Sequence, residues 1–162
     1  MASPIKLKSE ILAKIQYALG AFIFSRGMGR WQKRLHDFSM NCLQRAANAG
    51  HGQALLMAGQ ILTHRGEGIS SRLAGMKYLR SAADLGKPEA QFMLAQAMRD
   101  ETLGLIHNDE DILALYKKAA NQGHIMAALK LKEAYTDGLW GVSVDEAQAS
   151  YWSEQFMKSS KK

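Results

Sequence analysis

A single cysteine, Cys42, stands in a chain of 162 residues, so no internal disulfide can form. Set between Met40-Asn41 and Leu43 in a helical pattern, it reads as a small buried apolar residue rather than a reactive thiol. Proline is nearly as scarce. Pro4 lies at the start and Pro88 follows Gly86-Lys87, where a first helical turn tolerates it, so nothing interrupts long helices. Long apolar runs are missing too. Ile11 to Phe24 is the most apolar stretch, but Lys14 and Gln16 break it, it falls short of the roughly 20 residues of a bilayer span, and no small-x-small cleavage site follows before Arg26. The expectation for this stretch is a helix packed into the fold.

Signatures of chemistry are equally absent from the sequence. His36, His51, His64, His107 and His124 show no ligand spacing such as His-Glu-x-x-His, and one cysteine excludes Cys-x-x-Cys. The acidic run Asp109-Glu110-Asp111 lacks the alternating oxygen ligands, glycine turn and closing Glu of a calcium loop, and reads as the first turn of a helix capped by Asn108 or Asp109. No phosphate-binding loop, nucleophile elbow or dinucleotide fingerprint occurs. The expectation is therefore a chain without catalysis, metal or cofactor.

What is present is repetition. Ala46-Ala47-Asn48-Ala49-Gly50-His51, Ala82-Ala83-Asp84-Leu85-Gly86-Lys87 and Ala119-Ala120-Asn121-Gln122-Gly123-His124 are three copies of one helix ending, with glycines 36 and 37 residues apart. That period belongs to stacked helical hairpins. Between the endings, Ala54, Ala58, Ile61 and Leu62 mark one helix face and Leu73, Met76, Leu79 and Ala83 mark the next, with Gly66-Glu67-Gly68 as the break. The first fifty residues hold a fourth unit in disguise, since Gly20 and Gly27 are seven apart like Gly59 and Gly66. Small residues at Gly20, Gly59 and Ala95 let the helices of a hairpin approach, and the Ala-Ala pairs form the seam to the next. Lys132 at the corresponding place in the last unit, and the loop Thr102 to Asn108 without its glycines, predict local irregularity.

These residues resemble the Sel1-like repeat family, a relative of the tetratricopeptide hairpins. The resemblance rests on Tyr17-x-Leu19-Gly20 with Gly27-x-Gly29, Ala54 to Gly59 with Gly66-x-Gly68-Ile69, Ala90 to Ala95, and Gly138 to Val142 with Asp145-x-x-x-Ala149-x-x-Trp152. It implies an all-α fold, a right-handed α/α solenoid of about four hairpins over residues 5–49, 51–85, 88–122 and 124–158, with 159–162 a polar tail, all in one domain. It also implies an adaptor or scaffold that binds a peptide or helix of another protein in its concave groove. By repeat alignment the groove positions are Lys14, Tyr17, Gln53, Gln60, His64, Glu89, Gln96, Arg99, Met126, Glu133 and Asp137. Trp140, in a turn between Leu139 and Gly141, is either an exposed anchor for the partner or ordinary loop packing.

Charge supplies the alternative. Residues 1 to 45 hold eight basic residues against two acidic ones, and the rest of the chain is balanced, so the whole net charge of +6 sits at one end. Arg26, Arg30, Lys33 and Arg34 around Trp31 form a basic patch that could meet a membrane surface or the phosphates of a nucleic acid. Cytoplasmic residence is expected, with periplasmic residence or membrane attachment through residues 5–24 as alternatives. A homodimer is a further expectation, since the ends of a short repeat array expose packing faces.

Overall fold

Gly50, Gly86 and Gly123 all adopt left-handed backbone, with φ of +81°, +79° and +86°, a region glycine enters without a Cβ penalty. In the computed structural model, which describes residues 4–26, 33–100 and 108–160, each of these glycines closes a helix. The Gly50 amide donates to the Ala47 carbonyl at 2.8 Å and the His51 amide to Ala46 at 3.0 Å; Gly123 and His124 repeat this on Ala120 and Ala119 at 2.9 and 3.1 Å. This crossed pair is the Schellman arrangement, which satisfies carbonyls that the helix end would leave open.

The residue after the glycine has a second task. His51 and His124 take extended backbone and their Nδ1 atoms accept the amides of Ala54 and Ala127 at 3.3 and 3.2 Å, capping the next helix. One Gly-His pair therefore ends one helix and starts another with no loop between, which is why it recurs. Lys87, in the same place, makes no side-chain cap, and Pro88 at the first turn takes over the start.

Eight helices follow among the described residues, with no strand: α1 (Pro4–Ser25), α2 (Lys33–Asn48), α3 (Gly52–Arg65), α4 (Gly68–Asp84), α5 (Pro88–Met98), α6 (Asp109–Asn121), α7 (Ile125–Asp137) and α8 (Glu146–Ser159). They fall into two compact units, Met1–Ala82 and Ala83–Lys162. Asn108 is the cap of α6, accepting from the Glu110 amide at 3.1 Å, and Asp109, Glu110 and Asp111 lie in the first turn.

In the first unit small residues set the helix spacing. A Cβ on Gly20 would stand 2.9 Å from Leu43 Cγ, and one on Gly59 2.8 Å from Leu79 Cγ, so α1 meets α2 and α3 meets α4 at glycine against leucine. Ser39, wholly buried, donates to the Gly20 carbonyl at 2.8 Å and ties the first pair. Cys42 is buried beside Leu43, as its neighbours predicted. The second unit buries Phe92, Met93, Leu94, Tyr116, Leu131 and Trp152. Ala46, Ala82 and Ala119, the first alanines of the three endings, are wholly buried.

Two expectations need correction. The helix expected to be packed throughout is covered on one face only: Ala13, Gly20 and Ile23 are buried, while Ile11, Leu12, Ile15, Leu19 and Phe22 are between 43 and 59% exposed. The physical reason is that α2 covers one side of α1, and a helix apolar on two sides needs two neighbours to hide both. Lys132 causes no break either. Its side chain is exposed and α7 runs on regularly to Asp137. The loop at Thr102 to His107 lies outside the described residues.

Candidate functional site

The groove positions given by repeat alignment fall in both units. In the first unit Lys14, Gln53, Gln60 and His64 are exposed on α1 and α3, and Tyr17 is half-buried. The Tyr17 ring stacks on His51, centroids 4.6 Å apart and planes within 25°. His64 turns back on its own helix, its Nδ1 3.2 Å from the Gln60 carbonyl and 3.1 Å from Thr63 Oγ1.

In the second unit Glu89, Gln96, Arg99, Met126 and Asp137 are exposed and Glu133 is half-buried. Here the structure draws several of them to shared partners. His124 repeats the role of His51: its ring stacks on Phe92 at 4.4 Å and 26°, and Nε2 lies 2.8 Å from Glu89 Oε2. Because Nδ1 already accepts an amide, the ring proton belongs on Nε2, which donates to the carboxylate. Glu133 takes a hydrogen bond from Lys130 Nζ at 2.6 Å.

The centre of this surface is aromatic. Tyr116, on α6, is wholly buried and its ring meets Phe92 at 5.8 Å and Trp140 at 4.9 Å. Trp140 reaches it through a turn after α7 with three left-handed residues: Gly138 caps the helix at φ +69°, Gly141 has φ +75°, and Trp140 itself adopts φ +55°, a conformation rare for a bulky residue. The Arg99 guanidinium also lies over the indole, 5.0 Å from its centroid. Trp140 is thus half-buried, in contact with both Tyr116 and Arg99, rather than a free exposed anchor. Sequence reasoning left Tyr116, Phe92 and His124 out of the site altogether. For Phe92 and His124 the signal was the pairing of an aromatic on a first helix with a histidine after the capping glycine, as in Tyr17 and His51.

Electrostatically the cluster is polarised. Burial pushes the Tyr116 phenol above its usual 10.0; Arg99, nearby, pulls the other way, and Glu133 adds to the rise. The hydroxyl itself has no hydrogen-bond partner of good geometry, so burial outweighs the Arg99 contribution. Arg99 and Glu133, both groove positions from the alignment, therefore act on one buried hydroxyl.

Of the basic patch, Arg26 is exposed at the end of α1 with its guanidinium 4.7 Å from the Phe22 centroid, and Arg34 is exposed on α2. Lys33 opens α2 without a described side chain, and Arg30 and Trp31 lie outside the described residues. Among the described residues no group of three or more His, Cys, Asp or Glu side chains is placed to hold a metal ion, and no helix is long and apolar enough to cross a membrane.

Paired helices joined through glycine and histidine caps define an α-helical hairpin repeat protein. Comparison with solved structures narrows the class to the Sel1-like repeat fold. A Sel1 repeat protein from Oxalobacter formigenes is similar at 25% identity over 73% of this chain and 88% of that one, with a TM-score of 0.65. An immunity protein of Pseudomonas aeruginosa, Pa5087, shares the fold at 19% identity and a TM-score of 0.56 over 73% of this chain, and Pseudomonas aeruginosa 5086 at 18% and 0.60 over 94%. The chain spans 44% and 60% of the length of those two. No family model and no curated protein matches the sequence. The Sel1-like repeat fold generally mediates protein–protein interaction and is typically a non-enzymatic scaffold.

Proposed function

We propose that the chain is an adaptor that binds a peptide or helix of another protein, without catalysis, along the outward positions of its first helices. The outward positions are Glu89, Gln96, Arg99, Met126, Glu133 and Asp137 in the second unit, and Lys14, Tyr17, Gln53, Gln60 and His64 in the first. The observation that carries the reading is Arg99 held over the Trp140 ring, which itself meets buried Tyr116 at 4.9 Å. An exposed arginine already held against an indole loses little freedom on binding, and arginine and tryptophan dominate the energetics of protein interfaces. Glu133 and Asp137 add acceptors for backbone amides or basic side chains of an extended partner.

Affinity capture identifies a partner, and titration of the purified pair tests the surface. Arg99→Ala is expected to weaken binding by at least about tenfold and Gln60→Ala less, as expected for an anchor and a peripheral polar contact. Equal affinity of the parent and Arg99→Ala proteins would overturn the assignment of this surface.

A further inference from the structure

The exposed apolar face of α1 is a second surface, turned away from the groove position Tyr17 and edged by Lys14. Ile11, Leu12, Ile15, Leu19 and Phe22 are 50, 54, 59, 43 and 51% exposed and lie within a stripe about 100° wide on the helix. Superposing Gly20 on Gly59, each set against a leucine of its partner helix, places Ile15, Leu19 and Phe22 where α3 has Ala54, Ala58 and Ile61. Those three are 0, 0 and 8% exposed. The face of α1 thus corresponds to one that is covered in α3, but it carries larger side chains. Ile15 in place of an alanine would hold another hairpin away from the close approach that the seam needs.

Charge selects the occupant. Lys8 and Arg26, both exposed, lie on the same stripe at its two ends, roughly 27 Å apart at 1.5 Å per residue, and exposed Lys14 flanks it. Glu10, the acid of α1, is about 140° round the helix from Ile15. A second copy laid antiparallel on this face would bring Lys8 onto Arg26 across the interface at both ends, and a parallel copy would pair like with like. Repulsion therefore opposes self-association. A head-to-tail contact fares no better, because α8 carries Gln155-Phe156 where the other second helices carry Ala-Ala.

An anionic lipid surface has none of these requirements. It accepts apolar side chains of any shape and draws cations at the rim toward its headgroups. Arg26, already folded over Phe22 at 4.7 Å, has its charge beside the apolar face, as a helix lying in the plane of the interface needs. We infer that α1 is an interfacial membrane-binding helix, inserting Ile11, Ile15, Leu19 and Phe22 into an anionic bilayer surface with Lys8, Lys14 and Arg26 on the headgroups.

Flotation of the full chain with phosphatidylcholine vesicles, with and without phosphatidylglycerol, tests this. Binding is expected to the anionic vesicles only and to weaken with salt. Replacing Ile15 and Leu19 together by Glu, or Lys8 and Arg26 together by Glu, is expected to reduce partitioning by roughly tenfold or more. Both pairs are exposed, so the far-ultraviolet circular dichroism of each variant should match the parent. Absence of flotation with anionic vesicles, or equal flotation of parent and variants, would overturn the inference. So would a dimer in sedimentation that Ile15→Glu with Leu19→Glu disperses while vesicles capture nothing, since that result gives the face to a second copy.

Discussion

His124 does three things with one ring: Nδ1 caps α7, Nε2 donates to Glu89, and the face stacks on Phe92. His124→Ala should cost about 1–2 kcal/mol in urea unfolding, the loss of a cap together with a stacked contact. His124→Asn keeps an acceptor at the cap, so it should recover about half of that loss. Equal loss from both would show that the cap contributes nothing. Tyr116 makes the opposite case, a buried hydroxyl without a partner. Its folded pKa lies above the unfolded value of 10.0, so the folded state holds its proton where the unfolded state releases it. The stability it contributes is complete below pH 10 and is lost as pH rises through the folded pKa. Tyr116→Phe should therefore change stability little at neutral pH and flatten the alkaline fall, measured as unfolding midpoint against pH. An alkaline limb unchanged by the substitution would show that other groups set it.

Within elements, the small residues act through distance. A methyl on Gly59 would meet Leu79 Cγ at 2.8 Å and the Leu79 amide nitrogen at 3.0 Å, and a backbone atom cannot move aside as a side-chain tip can. Gly59→Ala gains about 1 kcal/mol of helix propensity and loses about 1–3 kcal/mol to overpacking, so a net fall in the melting temperature is expected. A rise would mean that α3 and α4 can separate freely. The alanines of the endings predict the same sign. Ala119 is wholly buried, and Ala119→Phe should cost on the order of 1–3 kcal/mol. The period, the helix ends and these small positions were all legible in the sequence, because each follows from local geometry: a left-handed residue, a cap, a missing side chain. The terminal helix was not. Its apolar residues point to two sides, and periodicity says that a face is apolar without saying what covers it.

For the molecule as a whole, charge and aromatic structure separate two modes of association. The excess of +6 belongs to residues 1 to 45, while the Arg99 cluster lies in the second unit. Reversing Arg30, Lys33 and Arg34 together should leave the affinity for a groove-bound peptide within about twofold, whereas a charge-driven contact would lose most of its strength and show a steep salt dependence. Titrating the same partner against this variant and Arg99→Ala distinguishes the two, and a larger effect from the charge reversal would move the binding surface to the amino-terminal unit. Alignment of repeats put Arg99 and Glu133 on a recognition surface, yet nothing in their spacing showed that both act on Tyr116. That link depends on the left-handed backbone of Trp140, which carries the indole back across the turn onto α6.

The order of helices, the three Ala-Ala-x-x-Gly endings and the small positions at Gly20 and Gly59 were determined by the sequence alone, since a left-handed glycine after two alanines leaves few other ways to satisfy the backbone and fill the space. Which apolar faces stay open, and which aromatic rings meet, only the tertiary structure decided. Both depend on neighbours dozens of residues away, and burial is a property of what surrounds a side chain rather than of the side chain itself.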